Sequence, residues 1–126
     1  MIRIGILLLC AVGLYASAFM YRKSQRAARG ALSEPSVVES PRARAAGGVP
    51  NAAIGLLYYA ALAAATAFLS IPLVWGGALA ASLLAAAFSL YLGYSLLFVT
   101  RMPCVYCWTS HATNVALPIL LLAARP

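Results

Sequence analysis

Residues 73–99 read LVWGGALAASLLAAAFSLYLGYSLLFV. A helix needs about 20 apolar residues to cross roughly 30 Å of hydrocarbon, and this stretch is long enough. Three further stretches pass the same test, at about residues 4–21, 51–70 and 103–124, the first of them narrowly. Pro72 and Pro103 stand at the starts of the third and fourth spans, where a missing N–H costs nothing, and Pro118 is expected to kink the last one. The links between spans two and three and between three and four are short, which favours antiparallel neighbours. The expected fold is therefore all-α: a polytopic membrane four-helix bundle, one transmembrane domain over residues 1–126, with Ala and Gly at close helix contacts.

Composition excludes the main alternative. Of 126 residues, 64% are hydrophobic and 9% charged, and the mean hydropathy is +0.92. That leaves too little polar surface to cover a water-soluble globule. Nine Lys and Arg against two acids give a net charge of +7, with the basic residues concentrated between Arg22 and Arg44. A basic cluster beside a membrane span fits anionic membrane lipid and not nucleic acid.

The first span has a second reading. Met1-Ile2-Arg3, an apolar run and Ala16-Ser17-Ala18 together look like a cleavable signal peptide. Arg22 and Lys23 form a stop after the run, and the uncleaved helix is preferred. Cys10 is not a lipoprotein cysteine, because Leu9 is too large for that cleavage site; a packing role is expected.

Residues 22–50 form the one substantial polar segment, with both acids, Glu34 and Glu39. Residues 21–32 read either as a short basic helix on the membrane surface or as a solvated charge run. Ser33-Glu34-Pro35-Ser36 and Ser40-Pro41 interrupt any helix, and Gly47-Gly48-Val49-Pro50 leads into span two.

Four spans put this loop and the third link on one side, with Arg22, Lys23, Arg26, Arg29, Arg42, Arg44 and Arg101. The terminal side has Arg3 and Arg125. The positive-inside rule then predicts a multi-pass cell-membrane protein with loop one in the cytoplasm.

The densest chemical signal is Cys104-Val105-Tyr106-Cys107-Trp108-Thr109-Ser110-His111 at the start of span four. Two cysteines three apart on a first helical turn can close a disulfide, and the helix N-terminus favours a thiolate at Cys104. Cys104, Cys107, His111 and Asn114 recur at i, i+3, i+7 and i+10, one stripe facing the bundle interior. A polar stripe in lipid is costly when idle, so a bound group with hydrogen-bonding atoms explains it better than chance. Zinc lacks a fourth ligand, and no second CxxC or histidine supplies it. A c-type haem needs CxxCH, and Trp108 follows Cys107. A purely structural disulfide remains the competing reading, although a four-residue loop staples little in a packed bundle.

With Phe88-Ser89-Leu90-Tyr91-Leu92-Gly93-Tyr94 ahead of Cys104-Val105-Tyr106-Cys107, and Ser40-Pro41 and Gly48-Val49-Pro50-Asn51 ahead of span two, residues 36–116 resemble the vitamin K epoxide reductase family. The resemblance implies a four-helix membrane oxidoreductase that couples thiol–disulfide exchange to a quinone (menaquinone, ubiquinone or a related ring) held in the bundle. It implies that Cys107 faces the ring and that Cys104 exchanges disulfides with a thioredoxin-like redox protein. It implies that Asn51 donates to one quinone carbonyl and that His111 serves the other. Such donors stabilise charge that builds on the oxygens as the ring is reduced. Ile54, Tyr58 and Tyr91 are candidate pocket walls, though aromatics at helical spacing are by default packing.

Two features depart from the family pattern. Residues 22–50 contain no cysteine, whereas family members usually carry a relay pair there. The usual family orientation also puts loop one and the CxxC outside the cytoplasm, opposite to the charge count. The expected activity is quinone-dependent thiol oxidation; the alternative is a non-catalytic membrane scaffold whose CxxC only staples a helix end.

Overall fold

The computed structural model describes residues 1–31, 43, 48–102 and 104–126. Four helices form a bundle: α1 (Ile2–Ala28), α2 (Asn51–Thr66), α3 (Pro72–Ser95), extended by a π turn (Leu96–Thr100), and α4 (Val105–Ala123). There is no strand element among the described residues, and the all-α four-helix expectation holds. α1 and α3 with its π turn are long and apolar enough to cross a membrane, whereas α2 is a shorter apolar helix.

The first helix runs well past the expected end at residue 21. Tyr21 to Ala28 continues α1 without a break, so the basic segment through Arg26 is neither a separate surface helix nor loose chain. The stop is Gly30, in the left-handed region at φ 66°. Its N–H meets Ala27 O at 3.0 Å, and Ala31 N–H meets Arg26 O at 2.9 Å, the paired bonds of a Schellman cap. Hydropathy ends a helix at its first charges; the backbone ends it where a residue can reverse, and Arg, Lys, Gln and Ala are good helix formers until then. At about 1.5 Å per residue α1 measures about 40 Å, longer than the hydrocarbon it would cross.

α2 ends earlier than residue 70. Thr66 Oγ1 bonds back to Leu62 O at 2.8 Å, and tight turns follow, Phe68 N to Ala65 O and Ile71 N to Phe68 O. Pro72 then opens α3 as expected. Pro118 lies inside α4; having no N–H, it cannot close the helical bond to the Asn114 carbonyl. Pro103, Ser33-Glu34-Pro35-Ser36, Ser40-Pro41, Arg42, Arg44, Glu39 and Gly47 lie outside the described residues.

One end of the bundle is a dry core of Ile6, Cys10, Tyr59, Leu62, Leu69, Ala78, Leu117 and Leu121. Cys10 is free and buried there, as a packing residue should be. Trp75 Nε1 ties α3 to α4 through Leu121 O at 2.7 Å, and Arg125 lies 5.9 Å over the Trp75 ring. Small residues let α1 and α2 meet closely. A Cβ on Gly13 would fall within the Tyr59 ring, and one on Gly55 would strike Ser17 Oγ at 2.6 Å. α1 packs on both α2 and α4, and α3 packs on α4, while α2 and α3 scarcely touch. Residues of both helices line the cavity described below.

Candidate active site

Cys104 is not the first residue of the helical stripe but the N-cap of α4, in extended backbone at φ −151°, ψ 98°. Its sulfur is paired with that of Cys107 in a disulfide, the two Cα atoms 5.2 Å apart. The same sulfur accepts the Cys107 N–H at 3.2 Å, so it caps the first turn as a Ser or Asp oxygen would. Met20 of α1 brings its Sδ to 4.0 Å from Cys104 Sγ. That contact fixes the end of the bundle: Cys104 sits beside the last apolar turn of α1, next to Arg22, Lys23 and Arg26. Phe19 and Tyr106 stack at 3.9 Å and tie α1 to the first turn of α4.

Behind the pair lies a cavity of about 470 Å³, within the range of small-molecule sites. Cys107, Ser110, His111 and Asn114 line it from α4, and Cys104 does not. The two residues thus differ in position: Cys107 lines the cavity, and Cys104, bonded to it, is the N-cap outside the lining. α2 contributes Asn51, Ile54 and Tyr58. The predicted Asn51, at the start of α2, and His111, on α4, therefore lie around one space with Cys107. Tyr91 does not join them. It is 53% exposed and stacks on Phe88 with ring centroids 6.2 Å apart. The cavity face of α3 runs through Leu84, Phe88, Leu92 and Ser95, and Tyr91, three residues after Phe88, falls just past its edge.

The floor is a hydrogen-bonded chain that the sequence did not announce. Tyr59 Oη donates to Asn114 Oδ1 at 2.6 Å, and Asn114 Nδ2 donates to Ser89 Oγ at 2.6 Å. One amide thus links α2, α3 and α4, with both its polar ends served. The sequence stripe marked Asn114 as inward-facing, but only the helix phases show which tyrosine of Tyr58 and Tyr59 would meet it.

Other polar atoms of the cavity are not served. Tyr58 Oη, Ser95 Oγ and His111 Nδ1 are buried and have no hydrogen-bond partner among the described residues. All three residues line the cavity. A buried polar group without a partner costs about 1–3 kcal/mol. Several around one space mark a place suited to a polar-edged ligand. Trp108 meets His111 edge-on at 5.9 Å and holds the imidazole from the outer side.

The roof carries local strain. The π turn moves Leu96 and Thr100 into the cavity wall, and Arg101, at φ 53°, leaves it in the left-handed region. π turns recur at functional sites, and a left-handed non-glycine residue costs about 1 kcal/mol or more.

A helical bundle with a CxxC pair at the mouth of an apolar, polar-studded cavity defines a class: small membrane proteins fitted for thiol–disulfide chemistry beside a buried ligand. Residues 4–122, nearly the whole chain, match the vitamin K epoxide reductase family, and the protein belongs to that family. Family membership makes it a membrane oxidoreductase. No curated protein matches the sequence significantly.

Proposed function

We propose that this protein crosses the membrane four times as a single domain and oxidises thiols of a thioredoxin-like redox protein at the expense of a membrane quinone. The observation that carries the reading is that Cys107 lines the cavity while its disulfide partner Cys104, the N-cap, does not.

Cys104 is the sulfur that a partner's thiolate attacks. The Cys104–Cys107 bond breaks and Cys107 leaves as the thiolate; the partner's second thiol then displaces Cys104 and closes the partner's own disulfide. The partner has lost two electrons and two protons, and Cys104 and Cys107 hold them as thiols. When bound, a quinone supplies a two-electron, two-proton acceptor. Cys107, which lines the cavity, would re-form the bond to Cys104 as the two electrons and two protons leave the pair. Asn51 and His111 would hold the two ring carbonyls and stabilise the charge that builds there. Ile54 and Tyr58 form part of the wall, and the apolar lining keeps water out. An isoprenoid quinone residing in lipid would enter between α2 and α3, which scarcely touch.

The absence of cysteines from residues 22–50 means that the external dithiol meets Cys104 directly, without a relay pair. We place this face in the cytoplasm. Arg22, Lys23, Arg26, Arg29 and Arg101 cluster at the Cys104 end, against Arg3 and Arg125 at the other.

The test is direct. Freshly reduced protein in detergent should bleach the absorbance of an isoprenoid benzoquinone or naphthoquinone, with two thiols lost per quinone reduced. A protein that binds and reduces neither, with Cys104 and Cys107 intact, is a scaffold and not an oxidoreductase. Reporters fused in loop one and at Pro126 test the orientation; a loop reporter active only outside the cytoplasm overturns it and leaves the chemistry standing.

A further inference from the structure

The last two turns of α1 carry more charge than the bundle needs for its own packing. Arg22, Lys23 and Arg26 lie in them and Arg29 is the C-cap; Arg22, Arg26 and Arg29 are exposed. Ser24, buried on the cavity side, sets the phase, so these arginines fall on the outer side of the helix. Residues 4–21 cover about 27 Å, close to the hydrocarbon thickness, and Arg29 stands about 10 Å beyond Arg22 along the axis. The headgroup layer is about 5–7 Å deep on each side. Arg22 and Lys23 are therefore beside lipid headgroups, whereas Arg26 reaches the outer edge of that layer and Arg29 passes it. The Gly30 cap closes the projecting turns as regular helix. At their foot is Cys104, half-buried, with Met20 Sδ 4.0 Å from its sulfur. Arg101, also exposed, precedes Cys104 by three residues at the end of the π turn. The charge is not cancelled within the chain. Loop one and the third link hold seven basic residues and the whole protein has two acids, so at least five positive charges on this side are unmatched by its own carboxylate side chains.

We propose that this projecting basic end is the docking surface for the electron donor, and that the donor is a protein whose dithiol lies within an acidic rim. The inference rests on reading Cys104 as the sulfur that an external dithiol meets. With no cysteine in residues 22–50 to act as a relay, the donor comes to Cys104 itself, level with the last apolar turn of α1. The charged post beside that sulfur is the first surface such a protein touches. Attraction to anionic lipid acts within the headgroup layer and needs no ordered backbone. A capped helix that carries cations past that layer presents them in a fixed array to a folded surface in solution. Opposite charges speed the encounter and orient the incoming thiol over Cys104, an effect that salt screens over about 8–10 Å. A donor ringed by basic groups is repelled, so the same charges also select.

The experiment uses the full chain in detergent with a quinone acceptor and three reduced donors. They are a thioredoxin-fold protein with carboxylates around its dithiol, the same protein with those carboxylates changed to amides, and dithiothreitol, a small neutral dithiol. We expect kcat/KM at about 10 mM salt to be at least about tenfold higher for the acidic protein than for its amide counterpart, and the two to converge near about 1 M. Arg26→Gln combined with Arg29→Gln should cut the acidic donor's advantage by about threefold or more, through KM and with kcat little changed. Arg26→Lys combined with Arg29→Lys should keep it. Glutamine is a good helix former, and an unchanged melting temperature of the oxidised protein confirms that the fold is intact. Dithiothreitol should show neither the salt dependence nor the loss in the glutamine variant. Equal rates for the two protein donors, or a loss that dithiothreitol shares, overturns the docking surface while quinone reduction stands. A glutamine variant that keeps the donor kinetics but loses the thermal stabilisation given by phosphatidylglycerol over phosphatidylcholine makes lipid the occupant, and the proposal falls. No quinone reduced with any of the three donors removes the parent reading as well.

Discussion

The two halves of the bundle treat polar atoms in opposite ways. Around Leu62, Leu117 and Leu121 the interior is apolar and tight, and where a polar group enters, as with Trp75 Nε1, it finds a carbonyl. Around Cys107 the interior is hollow, with a π turn overhead and with hydroxyl and imidazole atoms that have no partner among the described residues. Burying apolar side chains and bonding every polar one favours stability; leaving them unbonded favours a ligand. The boundary between the halves is the Tyr59–Asn114–Ser89 chain, which belongs to the first half by its satisfied bonds and to the second by its position.

Substitutions on each side should separate the two roles. Cys107→Ala has the largest expected effect, since it removes the sulfur of the cysteine that lines the cavity. Thiol-dependent quinone reduction should fall by at least about 100-fold, while the melting temperature of the variant stays close to that of the reduced wild type; retained turnover would break the contrast. Leu117→Ala, in the dry half, should do the reverse. Truncating a fully buried leucine costs about 2–3 kcal/mol, read by denaturant titration in detergent, with KM for quinone unchanged. Tyr59→Phe, on the boundary, leaves Asn114 Oδ1 without its donor. Its expected cost is about 1 kcal/mol, since hydrogen bonds between membrane helices are worth modest amounts. A shift in KM as well would assign the floor to the ligand's half. Arg101→Gly is the smallest. Relieving the left-handed backbone should be neutral or stabilising, by less than about 1 kcal/mol, and a clear loss of stability would show that the Arg101 side chain, whose Nε reaches Phe98 O at 3.3 Å, matters more than its backbone.

How far the sequence could be read depends on which force set each feature. Hydropathy sets the four apolar segments, and proline sterics set the start of α3, so both were legible. The inward stripe was legible too, because Cys107, His111 and Asn114 follow helical spacing; Cys104 departed from it, since a cap residue lies outside the helix. α1 overran its apolar segment because Gly30, not the first arginine, reverses the backbone. The π turn at Leu96–Thr100 leaves no mark in an apolar run. Tyr91 missed the cavity by a small step in helix phase, a difference that neighbouring packing decides and composition cannot. The pairing of Tyr59 with Asn114 needs the close approach over Gly13 and Gly55, a contact 55 residues removed along the chain.

Because one sulfur both closes the disulfide and accepts the Cys107 amide, the chemical state of the pair is tied to the order of the first turn of α4. Under the proposed exchange, drawing Cys104 into a bond with another protein would take the acceptor from that amide and leave the turn free to fray. Deuterium uptake at this one position would then read out the redox cycle without any coloured substrate.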